Sequence, residues 1–224
     1  MADVHLTFDN GPDPVGTPRV LEVLARRGVT ATFFVLGKHL ATPEGRALAD
    51  RIRDAGHRLG NHSYTHETPL GDDPRPDAVA RELARTQALL DPLWPGPRWF
   101  RPFGGGGHLG PHLFSPASID WLVAEQMTAV LWNVVPGDWR DPDGWVATAR
   151  AQVAAQAHAV MVLHDVVPQA MRHLDALLDG LVANGHELTD ALPASVLPVD
   201  AGVVQPSLGG LVATHPPAGG PEVR

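Results

Sequence analysis

The chain repeats one arrangement along its length: a short apolar segment, a loop, a helix that opens with a capping residue and a proline, and a glycine near the helix end. In the first unit, residues 4–8 are the apolar segment, Thr17 precedes a proline as the cap, and Gly28 stands at the stop. These residues are typical of helix starts and ends. The repeat therefore predicts a series of βα units.

The second unit has the same parts, with a strand predicted over residues 31–36, Thr42 as the cap and Gly56 as the stop. Later units follow, with strands predicted at residues 98–101, 129–132 and 159–163 and helices at residues 78–90, 142–156 and 169–184. Because parallel strands need crossover connections, this alternation predicts an α/β fold. We predict a distorted TIM-like (β/α) barrel of parallel strands, in which chemistry lies where the strands end.

The composition limits the function. With 44% hydrophobic residues among 224, the chain has ample material for a core. It has no cysteine, so any metal must be held by nitrogen and oxygen ligands. The formal net charge of -8 and the absence of a basic run argue against nucleic acid as a partner.

Two further expectations concern organisation and location. Residues 1–192 are predicted to form the catalytic domain, and residues 193–224, rich in proline and glycine, a loosely ordered tail. The N-terminal residues lack the pattern of a secretion signal, and no apolar stretch has the length of a membrane span. We therefore expect a cytoplasmic protein without a membrane partner; its oligomeric state is left open.

Polar residues stand at the ends of the predicted strands. The set comprises Asp9, Asn10, His62, His66, Arg101, Asp138, Trp139, His164 and Asp165. His62 and His66 are four residues apart and can share one metal ion, although in a chain with 12 histidines such a pair is weak evidence alone. The whole set contains what metal-assisted hydrolysis requires: a carboxylate base, an imidazole acid and a second carboxylate to orient it. Asp9, His164 and Asp138 are candidates for these three roles.

Five motifs occur in order and resemble those of the polysaccharide deacetylase (NodB homology) family, carbohydrate esterase family 4. They are residues 7–12 (Thr-Phe-Asp-Asn-Gly-Pro), 62–66 (His-Ser-Tyr-Thr-His), 101–104 (Arg-Pro-Phe-Gly), 138–139 (Asp-Trp) and 162–164 (Val-Leu-His). The resemblance covers residues 4–192. It implies a distorted (β/α) barrel and a metal-dependent amide hydrolase.

The resemblance also implies roles for single residues. Asp9 would be the general base paired with Arg101, and His164 the general acid oriented by Asp138. His62 and His66 would be metal ligands. Trp139 would line the substrate groove and Leu163 would touch the acyl methyl group. Zn²⁺ is the expected ion, with Co²⁺, Ni²⁺ and Mn²⁺ as alternatives.

The chain departs from the family pattern in two of these motifs. Asn10 stands where the family usually has an aspartate as third metal ligand; an amide oxygen still coordinates, but without the negative charge. Some branches of the family resemble this Asp-Asn arrangement, including some that act on peptidoglycan muramic residues. Phe103 and Gly104 open a four-glycine run, which predicts a wide, flexible loop beside the substrate with its backbone close to another group.

Three functions fit these residues. The first is N-deacetylation of an N-acetylated amino sugar, small glycan or oligosaccharide. The second is hydrolysis of another small amide or a cyclic imide, which the motifs fit less well. The third is a non-catalytic carbohydrate-binding protein whose metal site is compromised by Asn10.

Overall fold

A computed structural model describes residues 1–214. Within this part the chain folds into one sheet of nine strands surrounded by helices. The strands are β1 (Asp3–Asp9), β2 (Thr32–Val35), β3 (Arg58–Asn61), β4 (Trp99–Phe100), β5 (Thr128–Ala129), β6 (His158–Leu163), β7 (Glu187–Leu188), β8 (Val199–Asp200) and β9 (Val203–Val204). The helices are α1 (Gly16–Arg27), α2 (Gly37–Leu40), α3 (Pro43–Asp54), a π-helical turn (Val79–Ala84) continuing into α4 (Arg85–Leu90), α5 (Pro116–Ala124), α6 (Trp145–Ala154), α7 (Pro168–Met171) and α8 (Leu174–Ala183).

The strand order is β6-β1-β2-β3-β4-β5-β8-β9, and β7 also pairs with β1. The pairs from β6 to β5 are parallel, as predicted, whereas β8 pairs antiparallel with β5 and with β9. Beyond β5, Val134 forms a single parallel bridge to Met161 on β6. The sheet therefore curls towards a barrel that is distorted and mostly parallel.

The predicted helix signals act as expected at several ends. Thr42 caps α3 by accepting a hydrogen bond from the Gly45 amide at 3.0 Å. Gly28 ends α1 in the left-handed conformation, with φ 62°. The helix predicted over residues 142–156 begins later, at Trp145, because Asp141 Oδ1 accepts from the Gly144 amide and holds the intervening residues in a turn. None of the helices in residues 1–214 is long and apolar enough to cross a membrane.

Two hydrophobic cores pack against the sheet. Strand β6 contributes to both: Met161 and Leu163 pack with α1, α6 and α8 in what we call the outer core. Val160 and Val162 pack in what we call the inner core, which also includes Leu122 of α5. On β1, Phe8 belongs to the outer core. Alternation along a strand therefore turns the neighbouring polar side chains of β1 towards the inside.

The loosely ordered tail predicted from residue 193 differs from the structure over residues 193–214. Val199 on β8 pairs with Ala129, and Val196, Val199 and Leu211 are buried in the inner core. These apolar side chains cover the open edge beyond β5, which is why a segment rich in proline and glycine is fixed there. Residues 215–224 of the predicted tail lie outside the described residues.

Candidate active site

A cavity of about 290 Å³ opens at the carboxyl ends of the parallel strands. Eight of the predicted site residues line it: Asp9, Asn10, His62, His66, Phe103, Gly104, Trp139 and His164. Arg101 and Asp138 lie directly behind the cavity wall, where each is fully buried. The fold thus brings together residues from β1, from the loops after β3, β4 and β5, and from the end of β6.

Asp9 and Arg101 form a buried ion pair. Arg101 Nη1 donates to Asp9 Oδ1 at 2.9 Å, and the guanidinium also donates to the carbonyls of Val130 and Leu131. The guanidinium stacks over the Phe34 ring, 4.1 Å from its centroid. These contacts fix one carboxylate oxygen of Asp9 and leave Oδ2 directed towards the imidazoles.

His62 and His66 face each other with ring centroids 5.0 Å apart. His62 Nδ1 donates to the Arg101 carbonyl at 2.9 Å, which leaves its Nε2 with a free lone pair, 3.7 Å from Asp9 Oδ2. The pKa of each imidazole is lowered to about 3, mainly by burial, and at His66 the neighbouring His62 contributes to this lowering. Both rings are therefore neutral near pH 7, the form that binds a metal ion.

The two imidazoles are not on a helix. Ser63 and His66 both have positive φ, 72° and 60°, so the loop of residues 62–66 is a tight, irregular turn. Their common direction comes from this turn rather than from helical spacing.

The environment of the Asn10 side chain is suited to a metal ion. Its backbone is left-handed, with φ 74°, and its Oδ1 is buried without a hydrogen-bond partner among the described residues. An amide oxygen in that state is suited to a cation, and two neutral imidazoles beside it complete a nitrogen and oxygen donor set. Residues 1–214 contain no cluster of three or more His, Asp or Glu arranged for a metal, so the donor set at this cavity consists of two imidazoles and one amide oxygen.

His164 and Asp138 form the second polar pair of the site. Asp138 Oδ1 accepts from His164 Nδ1 at 2.9 Å, and Oδ2 accepts from the His164 amide at 2.8 Å. Burial by itself lowers the pKa of His164, but the hydrogen bond and negative charge of Asp138 outweigh it and the pKa is raised. The imidazole is therefore held with its Nε2 free and a strengthened affinity for a proton.

The apolar wall differs from the prediction at one residue. Leu163 is fully buried in the outer core and does not line the cavity; Val162 does. Because His164 faces the cavity, alternation turns Leu163 away and brings Val162 to the same face. Trp139 lines the cavity as predicted and packs edge-on against His164, with ring centroids 4.8 Å apart.

The four-glycine loop lies against Trp132, a residue that was not among the predicted site residues. A Cβ on Gly104 would come within 2.4 Å of the Trp132 ring, and Trp132 Nε1 donates to the Gly107 carbonyl at 2.9 Å. The close backbone approach expected from the glycines is confirmed, and the indole is what they approach. The hydrogen bond from this indole fixes the Gly107 end of the loop.

Other cavity residues were not found from the sequence: Trp132, Val135, Val162, Val166 and Val167. For Val162 a signal existed, since it stands two residues before His164. The remaining valines carry no chemistry and lie in segments without periodicity.

The Asp9–Arg101 ion pair and the His164 imidazole oriented by Asp138 meet at one cavity, at the strand ends of a barrel-like α/β fold, an arrangement typical of hydrolases. Comparison with known proteins agrees. The polysaccharide deacetylase family model matches residues 2–108. A chitooligosaccharide deacetylase from Rhizobium leguminosarum bv. phaseoli is 32% identical over 167 residues, which cover 74% of this chain and 69% of that protein. The chain belongs to the polysaccharide deacetylase family, and it is a polysaccharide deacetylase-like hydrolase.

Other relatives extend the comparison. The peptidoglycan-N-acetylglucosamine deacetylase PgdA of Listeria monocytogenes is 30% identical over 82% of this chain, which spans 37% of that longer protein. The solved structure of the polysaccharide deacetylase Bc1974 from Bacillus cereus superposes with a TM-score of 0.70 at 26% identity, covering 89% of this chain and 97% of that one. A CE4 family pseudoenzyme from Bacillus anthracis has a TM-score of 0.69 at 25% identity, covering 83% and 62%. The predicted family and the α/β barrel-like fold are confirmed.

Proposed function

We propose that the protein removes the acetyl group from an N-acetylated amino sugar of a glycan, with the help of a divalent cation. Water is added across the amide C–N bond, so the products are acetate and the free amine of the sugar. One observation carries the proposal: Asp9 held by Arg101 and His164 held by Asp138 face one cavity that also contains two neutral imidazoles.

Asp9 is the base in this proposal. Arg101 binds one oxygen and fixes the plane of the carboxylate, so the second oxygen is directed into the cavity. That oxygen takes a proton from the attacking water. The buried guanidinium lies close enough to balance the negative charge of Asp9 in a site with little solvent.

His164 is the acid. Its Nδ1–H is bonded to Asp138, so the proton that it transfers to the leaving nitrogen comes from Nε2. The raised pKa keeps the ring protonated at a pH where an ordinary histidine is largely neutral. Asp138 therefore orients the acid and also raises its affinity for the proton that it donates.

His62, His66 and Asn10 would hold the cation, for which we propose Zn²⁺. When bound, such an ion polarises the acetyl carbonyl and lowers the pKa of the attacking water. The Nδ1–H of His62 is tied to the Arg101 carbonyl, an arrangement that fixes the tautomer with Nε2 free. The same Arg101 thus orients both the base and the first imidazole.

The apolar walls suit the acetyl group and the sugar face. Trp139, Val162 and Phe103 line the cavity, and indole faces are favourable surfaces for the C–H face of a sugar. The cavity volume of about 290 Å³ is at the low end for small-ligand sites. The relatives named chitooligosaccharide deacetylase and peptidoglycan-N-acetylglucosamine deacetylase support an N-acetylglucosamine unit as substrate.

A second candidate is a carbohydrate-binding protein without activity. Asn10 favours it, because the neutral amide weakens the metal site, and one structural neighbour is a pseudoenzyme. The intact Asp9–Arg101 and His164–Asp138 pairs favour catalysis.

Measurement of metal content and acetate release separates the two. We expect purified protein incubated with Zn²⁺, Co²⁺, Ni²⁺ or Mn²⁺ to retain one ion per chain and to release acetate from N-acetylglucosamine oligomers. Asp9→Asn should retain the ion and lose ~10²- to 10⁴-fold in turnover, the usual contribution of a positioned base. His62→Ala should lose both, and His173→Ala, a histidine outside the cavity, should keep both. Retained oligomer binding without acetate release under any of the four ions would leave only the binding function.

A further inference from the structure

We infer that Glu82, which lies outside the cavity, is a positioning residue that fixes the loop carrying the two histidines. This inference rests on the proposed metal-dependent function. We call residues 62–66 the histidine loop. Glu82 belongs to none of the five motifs, and the sequence does not single it out.

Glu82 is buried, with 2% of its surface exposed, and its carboxylate makes three hydrogen bonds to the histidine loop. Oε2 accepts from the Tyr64 amide at 3.0 Å and from the Thr65 amide at 2.8 Å. Oε1 accepts from the Thr65 hydroxyl at 2.9 Å. All three bonds reach the residues between His62 and His66, so they act on the segment that sets the distance between the imidazoles.

The histidine loop needs such support. Ser63 and His66 both adopt positive φ, which is unfavourable for residues with a Cβ and persists only when surrounding contacts hold it. Between them, the Tyr64 and Thr65 amides donate to no backbone carbonyl within residues 1–214. Both donate to the Glu82 carboxylate instead. Without Glu82 these donors would lose their partner, and the turn would be free to relax.

The element that carries Glu82 is also unusual. It lies in the π-helical turn Val79–Ala84, a geometry frequent at functional sites. The next residue, Leu83, accepts from Asn61 Nδ2 at 3.0 Å, and Asn61 Oδ1 accepts from the Ser63 amide at 3.0 Å. The π-helical turn therefore holds the start of the histidine loop through Asn61 and its middle through Glu82.

The surroundings of Glu82 allow a buried carboxylate. Arg75 Nη2 lies 3.5 Å from Oε1, and Arg75 is itself bonded to Asp73. Arg85 lies over the Tyr64 ring, 3.6 Å from its centroid. Arg75 thus places a positive charge beside the buried Glu82 carboxylate.

Two substitutions test the role. Glu82→Gln keeps all three bonds, because the amide oxygen accepts from both backbone amides and the amide nitrogen donates to the Thr65 hydroxyl oxygen. Glu82→Ala removes them. Thr42→Ala is the control, since it removes the N-cap hydrogen bond of α3, which does not involve the histidine loop. The measurements are Zn²⁺ affinity by chelator competition and hydrogen exchange of the Tyr64 and Thr65 amides without metal.

We expect Glu82→Ala to bind Zn²⁺ ~10- to 100-fold more weakly, as is typical when a group behind a metal ligand is lost. The two amides should exchange faster in the same variant. Glu82→Gln should stay close to the wild type in both readouts, and so should Thr42→Ala. Should Glu82→Ala not fold, Thr65→Val, which removes the single hydroxyl bond, is expected to weaken Zn²⁺ binding in the same direction.

The outcomes separate this inference from the proposed function. Wild-type protein that binds no Zn²⁺ would refute the proposed function. Wild-type affinity in Glu82→Ala, or unchanged exchange of the two amides, would refute the positioning role alone. Equal losses in Glu82→Gln and Glu82→Ala would also refute it, because the effect would then come from charge and not from the hydrogen bonds.

Discussion

Asn10 is the residue at which this chain differs most from its family pattern, and its structural setting is suited to a ligand. The side-chain oxygen is buried and has no hydrogen-bond partner among the described residues, although amides rarely remain so. The backbone at Asn10 is left-handed, a conformation that asparagine tolerates better than most residues. A neutral ligand leaves the site with one negative charge fewer than a carboxylate would.

Asn10→Asp should therefore tighten metal binding. A carboxylate adds a full charge to the attraction for a divalent ion, and we expect a gain of at least about tenfold in Zn²⁺ affinity, equivalent to about 1.4 kcal/mol. Chelator competition on the two proteins measures it. An unchanged affinity would show that residue 10 does not contact the ion.

The pH dependence of turnover should report on Asp138. His164 must be protonated to act as the acid, and the hydrogen bond and charge of Asp138 raise its pKa against the effect of burial. In Asp138→Asn the charge is lost, so the pKa falls and the alkaline limb of kcat/KM should move to lower pH by about one unit or more. A full pH–rate profile checks this. A limb at the wild-type position would mean that another group limits the rate at high pH.

Much of the site was predictable from single residues, because Asp9, Arg101, Asp138 and His164 are polar residues placed where strands end. Leu163 shows the limit. Strand β6 is apolar on both faces, as strands covered on both sides are, so the pattern does not tell which residue faces the cavity. The position of His164 relative to the cavity settles the alternation, and only three-dimensional contacts reveal it.

At the scale of elements, helix ends were predictable where the residue that sets them acts on its immediate neighbours in sequence. Thr42 and Gly28 act through hydrogen bonds and φ angles of their own neighbourhood, so their helix ends were predicted closely. The strand predicted over residues 129–132 is regular only at Thr128–Ala129. Beyond it the backbone bonds to β6 and to Val196, partners distant in sequence, which local patterns do not specify.

The junction of β6 with α1 contains a buried carboxyl that the proposed mechanism does not use. Asp165 is fully buried, and its Oδ2 accepts from the Thr17 hydroxyl at 2.5 Å. A Cβ on Gly11 would come within 2.5 Å of the same carboxyl, so this glycine allows the loop after β1 to pack there. The carboxyl thus joins the segments that carry Asp9 and His164.

Asp165→Asn should make the protein more stable at alkaline pH. Burial raises the pKa of Asp165 to about 7, against the lowering effect of Thr17, whereas an unfolded aspartate titrates near pH 4. Between these values the folded state binds more protons, so the free energy of unfolding falls as the pH rises from about 4 to about 7. Asparagine is neutral throughout and avoids this loss.

Urea unfolding of both proteins at pH 5 and pH 8 measures the effect. The variant should gain on the order of a few kcal/mol relative to the wild type at pH 8, and much less at pH 5. The same difference at both pH values would assign the change to packing and not to ionisation.

At the scale of the whole molecule, residues 193–214 complete the fold on the side where the parallel strands stop. The segment adds β8 and β9, and the Leu131 amide donates to the Val196 carbonyl at 2.8 Å. Phe114 exchanges backbone bonds with Leu211 and Ala213. Composition alone predicted a loosely ordered tail here, because proline and glycine are frequent in loops, whereas in the structure Val196, Val199 and Leu211 of this segment are buried.

A chain that ends at residue 192 should therefore be much less stable. It loses the burial of Val196, Val199 and Leu211, each worth roughly 1.5–3 kcal/mol, and it also exposes the side chains they cover. That loss is comparable to the whole free energy of unfolding of a typical domain, about 5–15 kcal/mol. We expect the melting temperature to fall by more than about 10 °C, or cooperative melting to disappear. A chain ending at residue 214, which keeps every contact described, is the matched control in calorimetry. If the 192-residue chain melts within a few degrees of the 214-residue chain, residues 193–214 do not contribute to the stability of the fold.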